Sequence, residues 1–582
     1  MPQTYPTADG NLTDDVLDRL AIDTEAVALS RRVEGTWSDV TIAEFHAEVT
    51  ALAKGLIANG VQPGDRVVLL SKTRYEWTLF DYAIWWAGAV TVPVYETSSM
   101  EQIAWILADS GAFAAVVESG AHAERVSEAS KHAPDLGGPV WTIDEPVDGG
   151  AVKIISQAGT DVGDDALEGR RKALGPDSLA TLIYTSGTTG RPKGCQLTHG
   201  NFRGELSGAM DCLPEVFGRE EASTLLFLPL AHVFARIIQV GAIRAGAKLG
   251  HTADITDLVD HLGEFEPTFI LAVPRVFEKV FNTASSKAYA DGRGKAFDRA
   301  VQTAISYSRA QDSGKPGVAL RTRHALFDRL VYGKLRAALG GHTEWAISGG
   351  APLGERLAHF YRGIGVPVLE GYGLTETTAA LAVNTPEHQR IGSVGRPFPD
   401  TEVEVASDGE LRFRGPQVFT GYWKNPDATA ETLDADGWFS TGDLGDIDDD
   451  GFIRITGRKK EILVTAGGKN VAPAGLEDRV RAHPYVSQCL VVGDGKPFVA
   501  ALVTIDREAW TGSLDDAALE SAVQEAVDDA NAQVSQAESI RKFVILPDDW
   551  TEKNGYLTPS FKVKRNAVLR DLHDTVEALF VR

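Results

Sequence analysis

YTSGTTGRPKG, residues 184–194, follows directly on the apolar run LATLI at 179–183. Gly187, Gly190 and Gly194 remove Cβ atoms so that backbone amides can approach an anion; Thr185, Ser186, Thr188 and Thr189 add hydroxyl donors, and Lys193 adds a point charge. The stretch reads as a clamp for a triphosphate or pyrophosphate at the end of a strand, against the plainer reading of a Gly/Thr surface turn. A Walker loop requires GxxxxGK[ST], but Pro192 precedes Lys193 and Gly194 follows it, so the magnesium-binding hydroxyl is missing from its place. No GxGxxG follows a strand either. Kinase-like and dinucleotide-binding readings both lose ground.

Outward from the loop, short β-rich runs alternate with helical patterns between about 66 and 280: RVVLLSK at 66–72, a helix through Trp77 and Ala83, AAVVES at 114–119, TLLFLPL at 224–230 and TFILAVP at 268–274. That alternation predicts βαβ units and largely parallel sheets covered on both faces, an α/β fold. Residues 283–340 are rich in Ala, Lys and Arg, show no clear strand, and read as a helical insertion before the strand EWAISG. From 391 to 456 the DG pairs at 408–409, 436–437 and 450–451 mark turns between short antiparallel strands, a β-rich subdomain. After GRKKE at 457–461 the chain looks self-contained: strands near ILVT, QCLVVG and FVAALVT, a helix near 474–482, an acidic helix near 514–534, and a terminal helix after LTPSFKVKRN. The boundary falls at 458–460, leaving a large domain over 1–458 and a smaller one over 459–582.

The 582 residues suffice for several domains with full cores. With 57 Lys and Arg against 81 Asp and Glu the formal charge is −24, and no basic run exceeds a few residues, which argues against a nucleic-acid surface. Cys195, Cys212 and Cys489 are far apart with no CxxC pair; they support neither a disulfide framework nor a thiolate metal site, so a reducing cytoplasm is expected. The first residues lack a basic n-region and an apolar h-region. The most apolar stretch, YAIWWAGAVTVPVY at 82–95, is shorter than the roughly 20 residues that cross a bilayer and contains Pro93. A soluble protein is expected.

YTSGTTGRPKG resembles the signature of the adenylate-forming (AMP-binding) superfamily, which contains acyl-CoA synthetases, luciferases and nonribosomal-peptide adenylation domains. Further motifs follow in that family's order: LPLAHVFARI at 228–237, SGGAPL at 348–353, EGYGLTET at 370–377, STGD at 440–443, GRKKEILVTAGGKN at 457–470 and LTPSFKVKR at 557–565. The resemblance implies a large N-terminal domain of two doubly wound sheets plus the β-rich subdomain, and a mobile α+β C-terminal domain that rotates between two half-reactions. In family chemistry a carboxylate attacks the α-phosphate of ATP, pyrophosphate leaves, and a thiol captures the acyl-adenylate. The first step needs positioned cations and amides around a pentavalent phosphorus more than a proton relay.

The same resemblance assigns residues. Thr185, Ser186, Gly187, Thr188, Thr189, Gly190 and Lys193 would take the phosphates; Gly349, Gly350 and Ala351 would line the adenine pocket, with the loop Glu370, Gly371, Tyr372 and Gly373 beside them. Tyr372 would stack on adenine, Thr375 would hydrogen-bond the α-phosphate, and Glu376 would bind Mg2+, whose other ligands would be phosphate oxygens and water. Asp443 resembles the carboxylate that accepts both ribose hydroxyls, and Arg458 adds a ribose or phosphate contact. Lys562 matches the catalytic lysine of the rotating domain, although Phe561 stands where many members have Gly and Lys564 is a competing assignment. Lys460 falls at the hinge. Gly467 and Gly468 fall where a glycine-rich loop borders the pantetheine tunnel for coenzyme A. His232 falls where relatives gate or shape the carboxylate site, though an isolated His is more often a core or capping residue.

LPLAHVFARI, ILAVPRVFEKVFNTA at 270–284 and the helical insertion look like the long-chain fatty acyl-CoA synthetase branch, which implies a long-chain fatty acid:CoA ligase using ATP, Mg2+ and coenzyme A. The apolar segment after His232 suits the wall of an acyl tunnel, but any buried helix reads the same. One rival is a fatty acyl-AMP ligase that loads a carrier protein. Another is a non-catalytic acyl- or nucleotide-binding module, against which the set Lys193, Thr375, Glu376, Asp443, Arg458 and Lys562 weighs. A fatty substrate implies transient contact with a membrane surface, although no amphipathic basic helix stands out.

Overall fold

The computed structural model describes residues 9–131, 136–144, 150–185, 191–219, 221–253, 257–558 and 562–581. The strand Leu179–Thr185 belongs to a six-stranded sheet in the order Val140–Thr142, Ala112–Val117, Arg66–Leu70, Val90–Val94, Leu179–Thr185 and Lys193–Thr198. Neighbours are parallel except the last two, which form a hairpin with Thr185 opposite Lys193. A second sheet runs Thr36–Thr41, Val27–Val33, Lys248–His251, Ser223–Leu226. The Thr268 amide donates to the Ser223 carbonyl at 3.0 Å, leading on to a third sheet of Phe269–Ala272, Trp345–Ser348, Val368–Tyr372, Ala382–Val383 and Arg396–Pro397.

Two helices lie between these sheets, and their sequences say why. In Tyr75–Trp86 every residue but Glu76 is buried, and in Val233–Ala245 every residue but Phe234 is; both are mostly apolar on every side, and of their buried polar residues Asp81, Arg236 and Gln239 pair with one another. The 82–95 stretch is thus the end of one buried helix followed by the buried strand Val90–Val94. Trp85 Nε1 donates to the Ala180 carbonyl of the first sheet at 2.9 Å, and Thr78 Oγ1 meets His251 Nε2 of the second at 2.8 Å. Arg236, wholly buried, grips Asp81 with Nη2 at 2.6 and 2.8 Å and donates to Thr181 Oγ1 at 2.6 Å, tying both helices to the first sheet.

Between Phe269–Ala272 and Trp345–Ser348 the chain is helical: Pro274–Ala290, Gly294–Asp312, Val318–Phe327 and Gly333–Ala337, joined by a π-helical turn at Asp328–Tyr332. Four antiparallel strands follow, Glu402–Val405, Glu410–Arg414, Phe439–Ile447 and Ile453–Arg458. Gly409 and Gly451 turn between adjacent strands with φ of +85° and +83°. Gly437, at +82°, instead sits in the turn between the isolated bridge partners Leu433 and Phe439, because helix Pro426–Thr432 occupies the place of a strand.

The smaller C-terminal domain is built on the strands Val486–Val492, Val499–Ile505 and Ile540–Ile545. Side chains alternate across a strand, and here both faces are covered. Val491, Ala501 and Val503 pack on helices Pro473–Arg481 and Ala517–Asn531, while Leu490, Val492, Ala500 and Leu502 pack beneath Val568, Val576 and Leu579. The terminal helix is two, Arg565–Asp571 and His573–Phe580. Among the described residues no helix is long and apolar enough to cross a membrane.

Candidate active site

The hairpin of Leu179–Thr185 and Lys193–Thr198 is braced from one side. Trp423 N–H donates to the Gly194 carbonyl at 2.7 Å, and Gln196 N–H to the Gly421 carbonyl at 3.0 Å. Lys193 Nζ lies 4.8 Å from the centre of the Tyr422 ring. Ser186, Gly187, Thr188, Thr189 and Gly190 lie outside the described residues; Thr185 and Lys193 mark the two strand ends that flank them.

Tyr422 also reaches the second motif. Its hydroxyl donates to Glu376 Oε1 at 2.8 Å, Phe419 N–H donates to the Glu376 carbonyl at 2.8 Å, and Thr378 Oγ1 donates to the Gln417 carbonyl at 2.7 Å. One segment, 417–423, therefore fixes the hairpin and the loop holding Thr375 and Glu376 against each other. The loop is a 3-10 turn, Thr375–Thr377, followed by Thr378 and Ala379 at φ +55° and +101°, conformations that non-glycine residues hold only where the surroundings dictate them. A Cβ on Gly373 would lie 1.4 Å from the Ala379 carbonyl oxygen, so this position admits glycine alone. Sequence reasoning passed over Tyr422, because a lone GYW between strands carries no motif of its own.

Asp443 is 5 % exposed and fully engaged. Its Oδ2 accepts the Tyr372 hydroxyl at 2.6 Å and its Oδ1 accepts Arg458 Nε at 2.8 Å, the two residues standing opposite each other across the pair Phe439–Ile447 and Ile453–Arg458. Burial, then the Asp443 charge, holds the Tyr372 phenol well above its ordinary value, so it remains a donor. Glu370, two residues before Tyr372 on the same strand, accepts Leu353 N–H at 2.9 Å; burial pushes its carboxyl up to about 7. Its part in the fold is to hold the turn carrying Gly349, Gly350 and Ala351. Gly371 pairs with Val383, and a Cβ on Gly349 would stand 3.6 Å from the Phe234 ring and 3.7 Å from the Gly371 carbonyl, which brings that turn beside the loop.

The C-terminal domain contributes Lys562. Its backbone closes a small hairpin, with Thr558 N–H donating to its carbonyl at 2.8 Å and the bridge Leu557–Val563 alongside. The side chain keeps an exposed surface, yet burial lowers its ammonium below the ordinary lysine value, reinforced by Arg458 and opposed by Asp443, Glu376 and Glu461. Lys562 therefore lies within electrostatic reach of Arg458, Asp443, Glu376 and Glu461. His232 shares the neighbourhood: burial first, and the Lys562 charge second, push its imidazole down to about 3, so it is neutral. Its Nδ1 caps helix Val233–Ala245 by accepting Phe234 N–H at 3.2 Å, and the capping reading stands beside the site reading. Phe561 lies outside the described residues. Lys564 N–H donates to the Tyr556 carbonyl at 2.8 Å just before helix Arg565–Asp571.

The domains touch elsewhere through Arg275 Nη2 to Ser487 Oγ at 3.2 Å and Arg356 Nη2 to the Ala482 carbonyl at 2.9 Å. Lys460, exposed, lies in the 3-10 turn Lys459–Glu461 that joins them. Gly467 and Gly468 form an exposed turn between Leu463–Val464 and Asn470–Val471, with Gly468 at φ +77° and open space beside it; this turn is not among the groups gathered round Asp443.

Beyond Phe234 a small apolar cavity of about 60 Å³ lies between helices His199–Cys212 and Val233–Ala245 and the third sheet. Leu206, Met210, Ile237, Ile238 and Phe269 line it, and Ala379 and Ala380 close the end next to the Glu376 loop.

The braced hairpin, the carboxylate shared by Tyr372 and Arg458, and Lys562 of the C-terminal domain are the groups the structure gathers from the sequence motifs. Residues 18–423 match the AMP-binding enzyme family and residues 460–582 the AMP-binding enzyme C-terminal domain, and the chain belongs to that family. It is 50% identical to the long-chain-fatty-acid–CoA ligase FadD15 of Mycobacterium bovis and to that of Mycobacterium tuberculosis, over 98% of this chain and 97% of each relative. In structure it resembles ATP-bound MatB from Rhodopseudomonas palustris, with a TM-score of 0.72 at 24% identity over 98% of this chain and 100% of that one.

Proposed function

We propose that the chain is an AMP-forming long-chain fatty acid:CoA ligase. A fatty carboxylate oxygen bonds to the α-phosphorus of ATP while the bond to the β-phosphate breaks and pyrophosphate leaves. A thiol of coenzyme A, giving up its proton, then bonds to the acyl carbon as AMP departs. The observation that carries the reading is the buried Asp443 carboxylate shared by Tyr372 and Arg458, with Lys562 of the C-terminal domain within electrostatic reach of it. Identity of 50% to ligases of that name supports the same substrate class.

In this reading Asp443 exchanges the Tyr372 hydroxyl for the ribose hydroxyls, freeing the ring to stack on adenine, while Gly349, Gly350 and Ala351 form the pocket edge. Thr375, Lys193, Arg458 and Lys562 bear on the phosphates, where charge spreads as the phosphorus becomes pentavalent. Glu376 fits a magnesium site: Tyr422 occupies Oε1, Oε2 has no hydrogen bond to another described residue, and one carboxylate with phosphate oxygens and water is that ion's ordinary shell. Bound there, the ion would neutralise phosphate charge. Lys460 then serves as the pivot and Gly467–Gly468 as the lining of the pantetheine path once the domain has turned.

The reading extends to the source of the acid, a membrane surface approached from the cytoplasm. Val318, Leu326 and Leu330 are 78%, 57% and 56% exposed. Around them stand Arg321, Arg323 and Arg329, exposed and without a carboxylate partner among the described residues, on a chain of charge −24. Helix Val318–Phe327 buries none of its residues, which is why no amphipathic stripe shows in its sequence. Salt-sensitive sedimentation with anionic vesicles, lost in a triple Arg→Glu variant, is the expected result; equal sedimentation of the variant refutes it.

The test of the activity is AMP and pyrophosphate formation from ATP and Mg2+ over fatty acids of graded length, with and without coenzyme A. CoA-dependent turnover of long acids is expected. Acid-dependent pyrophosphate exchange without CoA turnover would point to loading of a carrier protein instead, and no acid dependence would overturn the reading.

A further inference from the structure

The acyl cavity is apolar except at one point. Glu205, on helix His199–Cys212, is 3% exposed and is the only ionisable side chain among the described residues that line it. Its carboxyl accepts one hydrogen bond, from the Ala380 backbone amide; its Oε2 is buried and has no partner. Burial raises it well above the ordinary carboxylate value, with that amide as the one opposing influence. A protonated carboxyl both donates and accepts.

A purely structural role accounts for half of this group. The bond to Ala380 steadies the strained turn after Glu376, but it uses a single acceptor and leaves the second oxygen buried at a cavity otherwise lined by apolar side chains. Such orphaned polar atoms are rare in folded proteins because they forfeit their hydration for nothing. The position along the cavity follows from the helix. Glu205 stands at the end closed by Ala379 and Ala380, next to the Glu376 loop, whereas Leu213 is two turns on, about 12 Å farther at 1.5 Å per residue, near Phe217 and Phe269.

Resting on the ligase reading above, we propose that Glu205 is a specificity-determining residue whose unpartnered oxygen hydrogen-bonds the acyl chain, so that the site favours long-chain acids bearing a hydroxyl or oxo group on the carbons nearest their carboxyl. A pocket built to pair with a substrate oxygen discriminates against the analogue lacking it far more strongly than an apolar pocket can discriminate between chain lengths.

The experiment compares kcat/KM of CoA-dependent AMP formation for hexadecanoic, 2-hydroxyhexadecanoic and 3-hydroxyhexadecanoic acids in the parent, Glu205→Leu, Glu205→Met and Glu205→Gln. The parent is expected to prefer one hydroxy acid over hexadecanoic acid by about tenfold or more. Leu and Met should erase that preference, and Gln, which still donates and accepts, should keep part of it. Because the readout is a ratio, loss of the Ala380 contact does not imitate the effect, and Met, unbranched and close in volume, serves where Leu does not fold. An unchanged ratio in the apolar variants, with all acids still turned over, removes the specificity role and leaves the ligase reading standing. No turnover of any acid by the parent overturns both.

Discussion

Replacing Lys562 by Ala removes a cation that the C-terminal domain brings within electrostatic reach of Glu376, Asp443 and Arg458. At about 4 Å and an effective dielectric of about 20, a unit charge is worth about 4 kcal/mol to a developing phosphoryl charge. That is about a thousandfold in rate at ~1.4 kcal/mol per decade. Lys562 keeps an exposed surface, so solvent screening trims the figure and a loss of about a hundredfold or more is expected. The assay is acid-dependent exchange of pyrophosphate into ATP, set against thioester formation from supplied acyl-adenylate and coenzyme A. Exchange should collapse while the second reaction stays within about threefold of the parent. A pH profile adds an independent readout. The charged form is the active one and its pKa lies below the ordinary lysine value, so exchange in the parent should decline as pH rises through that lowered value, and the variant should lack the decline. Exchange within about threefold of the parent in Lys562→Ala, or equal loss in Lys564→Ala, refutes the argument.

Glu376→Gln should raise the Mg2+ concentration for half-maximal exchange by about tenfold or more, since a neutral amide is a poor ligand for a hard cation; an unchanged requirement removes the metal role. Lys460→Pro should slow thioester formation at least about tenfold more than pyrophosphate exchange, because proline fixes φ at a residue proposed to turn; equal loss of both steps argues against the pivot. Asp81→Ala leaves the wholly buried Arg236 without its carboxylate, at a cost of about 3–5 kcal/mol, and the N-terminal domain should unfold several degrees earlier in a thermal scan. An unaltered transition there would mean that Thr181 and the flanking Trp77 and Trp85 rings suffice to hold the guanidinium.

Much of this molecule is local and was legible as such. The alternation of RVVLLSK, AAVVES and LATLIYTS with helical patterns is set by side-chain period, and the strands Arg66–Leu70, Ala112–Val117 and Leu179–Thr185 follow it. The phosphate hairpin, the Glu376 loop and the Asp443–Arg458 strand pair each announce themselves through residues close in sequence, because glycine, threonine and carboxylate are demanded by backbone approach and by ligand chemistry at one place. What the linear pattern could not state is which of these places share a volume. Tyr422 sits far along the chain from Lys193 and from Glu376, and only the fold lays its ring against one and its hydroxyl on the other. Lys562 and Lys564 differ by two positions and are indistinguishable by type. The bridge Leu557–Val563 and the seating of one domain on the other decide which of them feels the Asp443 charge. Glu205 reads as an ordinary helical glutamate until the third sheet and helix Val233–Ala245 close around it. The sequence by itself determined the elements, the motifs and the family they belong to, since those depend on spacing along the chain. The tertiary structure decided partners, burial and therefore charge state, because desolvation and hydrogen-bond supply depend on what residues distant in sequence bring to the same few ångströms.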